Sequence, residues 1–160
     1  MGKLRPSLVA ALVAAALLLN ACGSKEAEPT PPSLYDRLGQ VDGISKIVDK
    51  LMANVVAETT EPNSVMLRSH KPLLDANDAA RVLRLRNNFI DQLGEATGGP
   101  LKYKGMNMLA AHTGMKITDN EFAVWRKAAD ASFEANNVPA KERAELAAIL
   151  DAMKADVVGH

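Results

Sequence analysis

The chain has 160 residues, a length that suits one domain of ordinary size. Hydrophobic residues make up 48% and charged residues 24%, a balance typical of globular proteins rather than of disordered or fibrous ones. The 19 basic and 19 acidic side chains cancel, so the bulk charge favours neither nucleic acid nor anionic lipid, and we expect no nucleic-acid partner.

The N-terminal segment has the pattern of a secretory signal. A basic start that includes Lys3 precedes an apolar run over residues 7–19, which is too short for an ordinary transmembrane helix. The run ends in the tetrapeptide LNAC, which resembles the lipobox of bacterial lipoproteins, where cleavage before the cysteine frees a thiol for lipid attachment. We therefore expect residues 1–21 to be a lipoprotein signal peptide and Cys22 to be lipidated. A cleaved signal with an incidental cysteine is the alternative.

A lipidated Cys22 would anchor the chain to a membrane of the cell envelope, facing the periplasm or the exterior. The residue after it is Gly23 rather than Asp, which by resemblance to proteobacterial lipoproteins favours the outer membrane. Cys22 is the only cysteine, so the mature chain would have no internal disulfide in that oxidising compartment. Residues 22–33 are polar and rich in proline, which predicts a tether to a folded domain over residues 34–160.

The folded part reads as helix almost throughout, because no stretch alternates with period two as a strand would. We predict a first helix around residues 44–55, a second from Asp78 to about Thr97, and a short third over Met106 to His112. A fourth opens with a capping box at Thr118 and runs to about Asn136, and a fifth follows Pro139. The predicted inward faces are Ile44, Ile47, Val48, Leu51, Met52 and Val55; then Val82, Leu85, Phe89 and Leu93; then Phe122, Trp125, Ala129 and Phe133; and finally Leu146, Ile149, Leu150, Met153 and Val157.

Turn residues punctuate this all-α domain. Gly98 and Gly99 would supply the positive φ angles that end the second helix, and Pro100 would prevent it from resuming. Residues 58–77 contain two prolines and are expected to be irregular, with one short helical turn at most. Long structureless loops in compact domains are usually functional or wrapped on something. Aromatic residues are only 4% of the chain, and a flat apolar cofactor between helices would add the core area that they do not supply.

One histidine stands out as a metal ligand. His70 falls in the polar loop, where we expect it exposed, and His160 ends the sequence, where we expect disorder. His112 instead shares a helix face with Met108, one turn earlier, beside the small Ala111. A neutral imidazole on an apolar surface suits a heme iron, and its other ring nitrogen would donate to a backbone carbonyl. Periodicity alone favours the simpler interpretation that His112 is a satisfied core residue.

Four patches in order resemble group 1 truncated hemoglobins. The patches are LYDRLG at residues 34–39 with Gly43-Ile44, TGGPLKYKG at residues 97–105, Met108 with Ala111-His112, Gly114 and Ile117, and finally Val138-Pro139, Glu145-Leu146 and Asp156-Val157-Val158. The similarity covers roughly residues 34–158 and is weakest over residues 58–77. It implies a two-over-two helical sandwich around heme b, which is iron protoporphyrin IX, with His112 as the iron ligand.

The resemblance also suggests which residues line the cofactor. The expected cofactor-binding set is His112, Tyr103, Met108, Met115, Ile117, Met52, Leu67, Val82 and Arg86. Tyr103 would lie at the pocket rim or simply anchor its loop. Arg86 is a candidate distal hydrogen-bond donor or partner of a heme propionate, and a solvated charge is the simpler alternative. Further propionate candidates are Arg81, Arg84, Lys102 and Lys104.

The distal side departs from the family pattern. Many relatives carry a Phe-Tyr pair where this chain has Leu51 and Met52, and a Phe pair where it has Met66 and Leu67. Without the tyrosine hydroxyl, bound dioxygen should leave faster, and carbon monoxide should be relatively favoured. Ligation of the iron by Met52 or His70 is an alternative arrangement of the distal side.

These residues predict reversible binding of dioxygen, nitric oxide or carbon monoxide, and no catalytic residue is assigned. The enzymatic alternatives are nitric oxide dioxygenation and peroxidase-like turnover. Both would need an external reductase, because the chain has no Gly-x-Gly-x-x-Gly fingerprint for a nucleotide cofactor. A heme-free lipoprotein that keeps the globin fold is a third alternative. We favour a ligand-binding protein over an enzyme.

Overall fold

The structure is a computed structural model that describes residues 30–160. The predicted signal peptide, the lipidation site Cys22 and the linker up to residue 29 lie outside the described residues. The described chain forms eight helical segments, which are α1 (Leu34–Arg37), α2 (Gln40–Thr59), α3 (Leu67–Asp75), α4 (Ala79–Ala96), α5 (Met108–His112), α6 (Asp119–Ala135), α7 (Ala140–Ala152) and α8 (Lys154–Val157). Over residues 30–160, no helix is long and apolar enough to cross a membrane.

The core lies where α2 packs against α4 and α6, while α6 also packs against α7. This gives two pairs of helices, α2 with α4 and α6 with α7, and the contact between α2 and α6 joins the pairs. The apolar stripe of α2 is almost fully buried, as its spacing predicted. The most buried core side chains, each 2% exposed or less, are Ile44, Ile47, Val48, Leu51, Met66, Leu93, Ala129, Phe133, Leu146 and Leu150. The all-α prediction is confirmed, and the one β feature in residues 30–160 is an isolated parallel bridge between Ile117 and Val158.

Local signals set the ends of the long helices. The side chain of Asp78 accepts a hydrogen bond from the backbone N–H of Arg81 and caps α4. Gly98 follows the helix with a φ of 86°, as expected. The prediction for Gly99 was wrong, because its φ is not positive. A glycine is needed there for another reason: a Cβ would lie 2.4 Å from Cδ2 of Tyr35.

Residues 58–77 are more ordered than the sequence predicted. The loop assignment was wrong for α3, a nine-residue helix that contains Pro72. The carboxylate of Glu58, near the end of α2, accepts hydrogen bonds from Ser64 Oγ at 2.9 Å and from the backbone N–H of Val65 at 2.8 Å. This organises the turn before α3, and the side chain of Met66 is then fully buried.

The two helices on the C-terminal side also differ from their predicted bounds. The short helix begins at Met108 rather than Met106, since Asn107 is its cap. The last helix is divided into α7 and α8 at Met153, whose N–H bonds to the carbonyl of Leu150 in a tighter i−3 pattern. The capping box at Thr118 that opens α6 is present as predicted.

Candidate functional site

His112 ends α5 with its imidazole held in a defined orientation. Its Nδ1 lies 2.7 Å from the backbone carbonyl oxygen of Met108, one turn earlier. A carbonyl oxygen can only accept, so Nδ1 carries the ring proton and donates it, which leaves a lone pair on Nε2. The residue is half-buried rather than sealed among packed side chains. In the tautomer that carries its proton on Nδ1, Nε2 has a lone pair and is suited to bind a metal.

The loop before α5 is built around Tyr103. Its hydroxyl donates to the carbonyl of Met106 at 2.6 Å. Its ring covers Gly105 so closely that a Cβ on that glycine would lie 2.4 Å from the hydroxyl oxygen. These contacts show that Tyr103 anchors its own loop, and its position at a pocket rim stays a prediction. Burial raises the pKa of the Tyr103 hydroxyl above its usual value, so it remains a donor at neutral pH.

Three aromatic rings pack in a row between α4 and α6. Phe89 in α4 lies 6.2 Å from Trp125 in α6, measured between ring centroids, and Trp125 lies 6.0 Å from Phe122. Lys154 in α8 places its Nζ 5.9 Å from the centre of the Phe122 ring, and α8 packs against α5. The sequence placed each ring on an inward face but could not show that they meet. They link the helix of His112 to α4 through α6 and α8.

Several large apolar side chains around these helices remain open to solvent. Leu85 is 47% exposed and Val82 is 37% exposed, although both lie on the predicted inner stripe of α4. Leu109 in α5 is 44% exposed and Leu67 in α3 is 39% exposed. Exposed apolar side chains mark a binding surface where they lie together. Exposed apolar side chains and an imidazole nitrogen are the kinds of group that an apolar, metal-carrying cofactor requires.

The predicted distal residues have mixed surroundings. Met52 is half-buried and packs against the core of α2. Arg86 is a charge at the solvent-exposed edge of α4, and its guanidinium forms a two-point ion pair with Asp49, at 2.5 Å from Nε and 2.7 Å from Nη2. This pair lowers the pKa of Asp49 and ties α4 to α2. A distal or propionate role for Arg86 would therefore require it to leave Asp49.

The predicted residues after His112 lie on one constrained segment. Met115 is half-buried, and its carbonyl accepts a hydrogen bond from Nη1 of Arg68 in α3 at 2.9 Å. Ile117 is buried, and its carbonyl accepts from the N–H of Gly159 at 2.9 Å. Since Leu67 adjoins Arg68, the structure brings α3 to the segment that follows His112.

The other two histidines are placed differently from the prediction. His70 is not in a loop but in α3, half-buried, with its Nδ1 3.0 Å from the carbonyl oxygen of Met66. His160 is not disordered, because its Nε2 lies 3.0 Å from the carbonyl oxygen of Ala155 in α8. Each of these ring nitrogens faces a carbonyl and therefore carries a proton. The contact of His70 was missed because α3 was not predicted, and that of His160 because the last residues were expected to be disordered.

Comparison with known proteins gives the family. The family model described as bacterial-like globin matches residues 33–158. The chain belongs to the bacterial-like globin family. A comparison with curated protein sequences found no match.

Solved structures show which fold this globin shares. It is similar to truncated hemoglobin from Tetrahymena pyriformis in the Fe(III) form, at 22% identity and a TM-score of 0.66, over 81% of this chain and 100% of the other. It is also similar to a 2/2 hemoglobin from Synechococcus in the cyanomet state with covalently attached heme, at 22% identity and a TM-score of 0.64, over 79% of this chain and 98% of the other. A group II truncated hemoglobin from Bacillus anthracis matches at 17% identity and a TM-score of 0.63, over 81% and 92%. The predicted two-over-two helical fold of truncated hemoglobins is confirmed.

Proposed function

We propose that this globin binds heme b, with Nε2 of His112 as the proximal iron ligand. The observation that carries the proposal is the hydrogen bond from His112 Nδ1 to the carbonyl of Met108, which fixes the tautomer that can bind iron through Nε2. Membership of the family and the likeness to heme-containing hemoglobins support it. We also propose group 1 membership on the sequence motifs around Gly98 and His112.

The side chains that would hold the porphyrin are exposed apolar residues of α4 and methionines close to His112. Val82 and Leu85 of α4 would cover one side with apolar surface, and Met108 and Met115 would flank His112 on the other. Burial of each such side chain against an apolar cofactor contributes roughly 1–2 kcal/mol. Lys104, on the exposed loop before α5, is a candidate partner for a propionate.

The bound heme would supply an iron that takes up a diatomic gas such as dioxygen, nitric oxide or carbon monoxide. At position 52 this chain offers a thioether, which donates no hydrogen bond to a bound ligand. We therefore propose reversible gas binding with rapid dioxygen release, in preference to nitric oxide dioxygenation or peroxidase-like turnover. Either enzymatic role would require an external reductase.

The test is an absorption spectrum of the purified globin, loaded with heme and then reduced with and without carbon monoxide. We expect a Soret band that shifts on adding carbon monoxide, and we expect His112→Ala to abolish or severely weaken heme binding. His160→Ala is the matched control, since its ring contacts only the α8 carbonyl of Ala155 in the described structure. An unchanged spectrum in His112→Ala would refute the ligand assignment, and a wild-type chain without a Soret band would refute heme binding.

The lipid anchor is proposed on the sequence pattern that ends at Cys22. A basic start, a short apolar run and the LNAC tetrapeptide support processing before this cysteine. Anchoring there would keep the globin at the cell envelope, with the outer membrane favoured. Mass spectrometry of the protein purified from a bacterial host would show lipid as added mass on an N-terminal Cys22. A mature chain that begins elsewhere would contradict the proposal.

A further inference from the structure

Arg68 joins α3 to the segment that follows His112. Its Nη1 donates to the carbonyl of Met115 at 2.9 Å, and its Nη2 donates to the carbonyl of Lys116 at 2.9 Å. Nη2 also forms an ion pair with Oε2 of Glu121 at 2.6 Å. We refer to these three contacts as the Arg68 clamp. The partners are 47–53 residues away in sequence, so the clamp is a tertiary link rather than a local one.

The segment held by the clamp has an unusual backbone. Gly114 has a φ of 87°, and Lys116 has a φ of 50°, although it is not a glycine. A non-glycine residue in this left-handed region is maintained only where its surroundings fix it. The carbonyl of Lys116 is fixed by Arg68, and its N–H donates to the carbonyl of His160. The conformation of the chain just after His112 therefore depends on both contacts.

The Arg68 clamp is one of few tertiary contacts that α3 makes. The first turn of the helix is held by the buried Met66 and Ser69 and by Arg68. Beyond that turn, every residue from 71 to 80 is exposed except Leu73, which is half-buried. The rest of α3 thus has little tertiary contact that could replace the clamp.

The acidic partner makes the clamp hard to replace. Glu121 is only 4% exposed, and its Oε2 also accepts from the N–H and the hydroxyl of Thr118. Its Oε1 has no hydrogen-bond partner within residues 30–160. A buried carboxylate needs compensation of its charge, and Arg68 is the cation that meets it. Without Arg68, this part of α6 would retain an uncompensated charge.

We propose that Arg68 is a positioning residue for His112. By holding Met115 and Lys116 against α3, it fixes the segment that anchors the C-terminal end of α5 and so keeps the imidazole in place. This proposal rests on the proposed function of His112 as the heme ligand. Loss of the Arg68 clamp should make both α3 and the segment that follows His112 more mobile. Heme should then dissociate faster.

The experiment compares the full heme-loaded chain with Arg68→Gln, Arg68→Lys and the matched control Lys71→Gln. The Lys71→Gln substitution removes one positive charge from the same helix, but the ion-pair partner of Lys71 is the exposed Asp75 one turn away. Heme release is followed as transfer to excess apomyoglobin, and amide hydrogen exchange is measured over residues 113–118. We expect roughly tenfold faster release in Arg68→Gln, an intermediate rate in Arg68→Lys, and the wild-type rate in Lys71→Gln.

Hydrogen exchange separates this proposal from the proposed function. Exchange over residues 113–118 should accelerate in Arg68→Gln even in the heme-free chain, while exchange in the buried stripe of α2 stays unchanged. If the wild-type chain binds no heme, the proposed function fails, and the heme-free exchange still tests the clamp. Arg68→Gln that releases heme at the wild-type rate and protects residues 113–118 as before would overturn the proposal. Should Arg68→Gln not fold, Arg68→Lys gives the same comparison.

Discussion

Replacing Glu121 by glutamine should lower stability in a manner that depends on pH. Burial alone would raise the pKa of this carboxyl, but hydrogen bonds from Thr118 and Arg68 outweigh it and hold the pKa below the ordinary 4.5. A pKa that is lower in the folded than in the unfolded chain gives a stabilising contribution that is fully present above pH 4.5. That contribution is lost as the pH falls through the folded-state pKa, because both states are then protonated.

The size of the effect follows from the contacts of Glu121. A hydrogen bond to a charged group contributes about 1.5–3 kcal/mol, against about 0.5–1.5 kcal/mol for a neutral one. Glutamine can still accept from the N–H of Thr118, but it loses the charge that faces Arg68 at 2.6 Å. We therefore expect Glu121→Gln to lower the free energy of unfolding by about 2 kcal/mol at neutral pH. The difference in stability between the two proteins should shrink progressively as the pH falls below 4.5.

The assay is urea unfolding of the heme-free chain, followed by circular dichroism, at neutral pH, at about pH 5 and at about pH 3. Glu134→Gln is the control, because Glu134 is 66% exposed and pairs with Arg143 at the surface. It should change the free energy of unfolding by less than about 1 kcal/mol at every pH. A loss in Glu121→Gln of equal size at neutral and acid pH would refute the reasoning, as would no loss at neutral pH.

Four further substitutions test other features. Met52→Tyr would introduce a hydroxyl donor on the distal side, so we expect stopped-flow dioxygen dissociation to slow, and an unchanged rate would contradict this placement of residue 52. Arg86→Gln breaks the pair with the half-exposed Asp49, so urea unfolding should show a loss of about 0.5–1 kcal/mol and heme titration an unchanged affinity. A tenfold weaker affinity would instead assign Arg86 to a propionate. Gly99→Ala should cost about 2–3 kcal/mol in urea unfolding, because its Cβ would overlap a packed ring, whereas Gly114→Ala, with open space around it, should cost only about 1 kcal/mol of backbone strain. Equal losses in the two glycine variants would argue against overlap.

The features that the sequence predicted well are those encoded over a few residues. The capping box of Thr118 and Glu121, the start of α4 near Asp78 and the apolar stripe of α2 all follow from short sequence patterns. The tautomer of His112 is also local, because its partner Met108 lies four residues earlier. Such features can be inferred from spacing alone.

The features that were missed depend on residues far apart in the chain. The helix α3 has a polar composition and an internal proline, and it is organised by Glu58 before it and by partners of Arg68 after position 114. The pairing of Arg86 with Asp49 joins residues 37 positions apart on two helices, so the sequence did not indicate it. The contact of Phe89 with Trp125 likewise joins residues far apart in sequence, on two different helices. Periodicity shows that a side chain faces inward but not what it meets there.

The exposed first turns of α4 bear on how readily the protein is degraded by proteases. Every residue from 79 to 85 is exposed, so this end of the helix receives almost no tertiary support from the described chain. A ligand that covered Val82 and Leu85 would add such support and shift the balance between folded and frayed forms by mass action. Before it acquires that ligand, the protein would offer proteases a cleavable stretch rich in arginine. If the globin binds heme as proposed, heme supply would govern how much of the protein resists proteolysis.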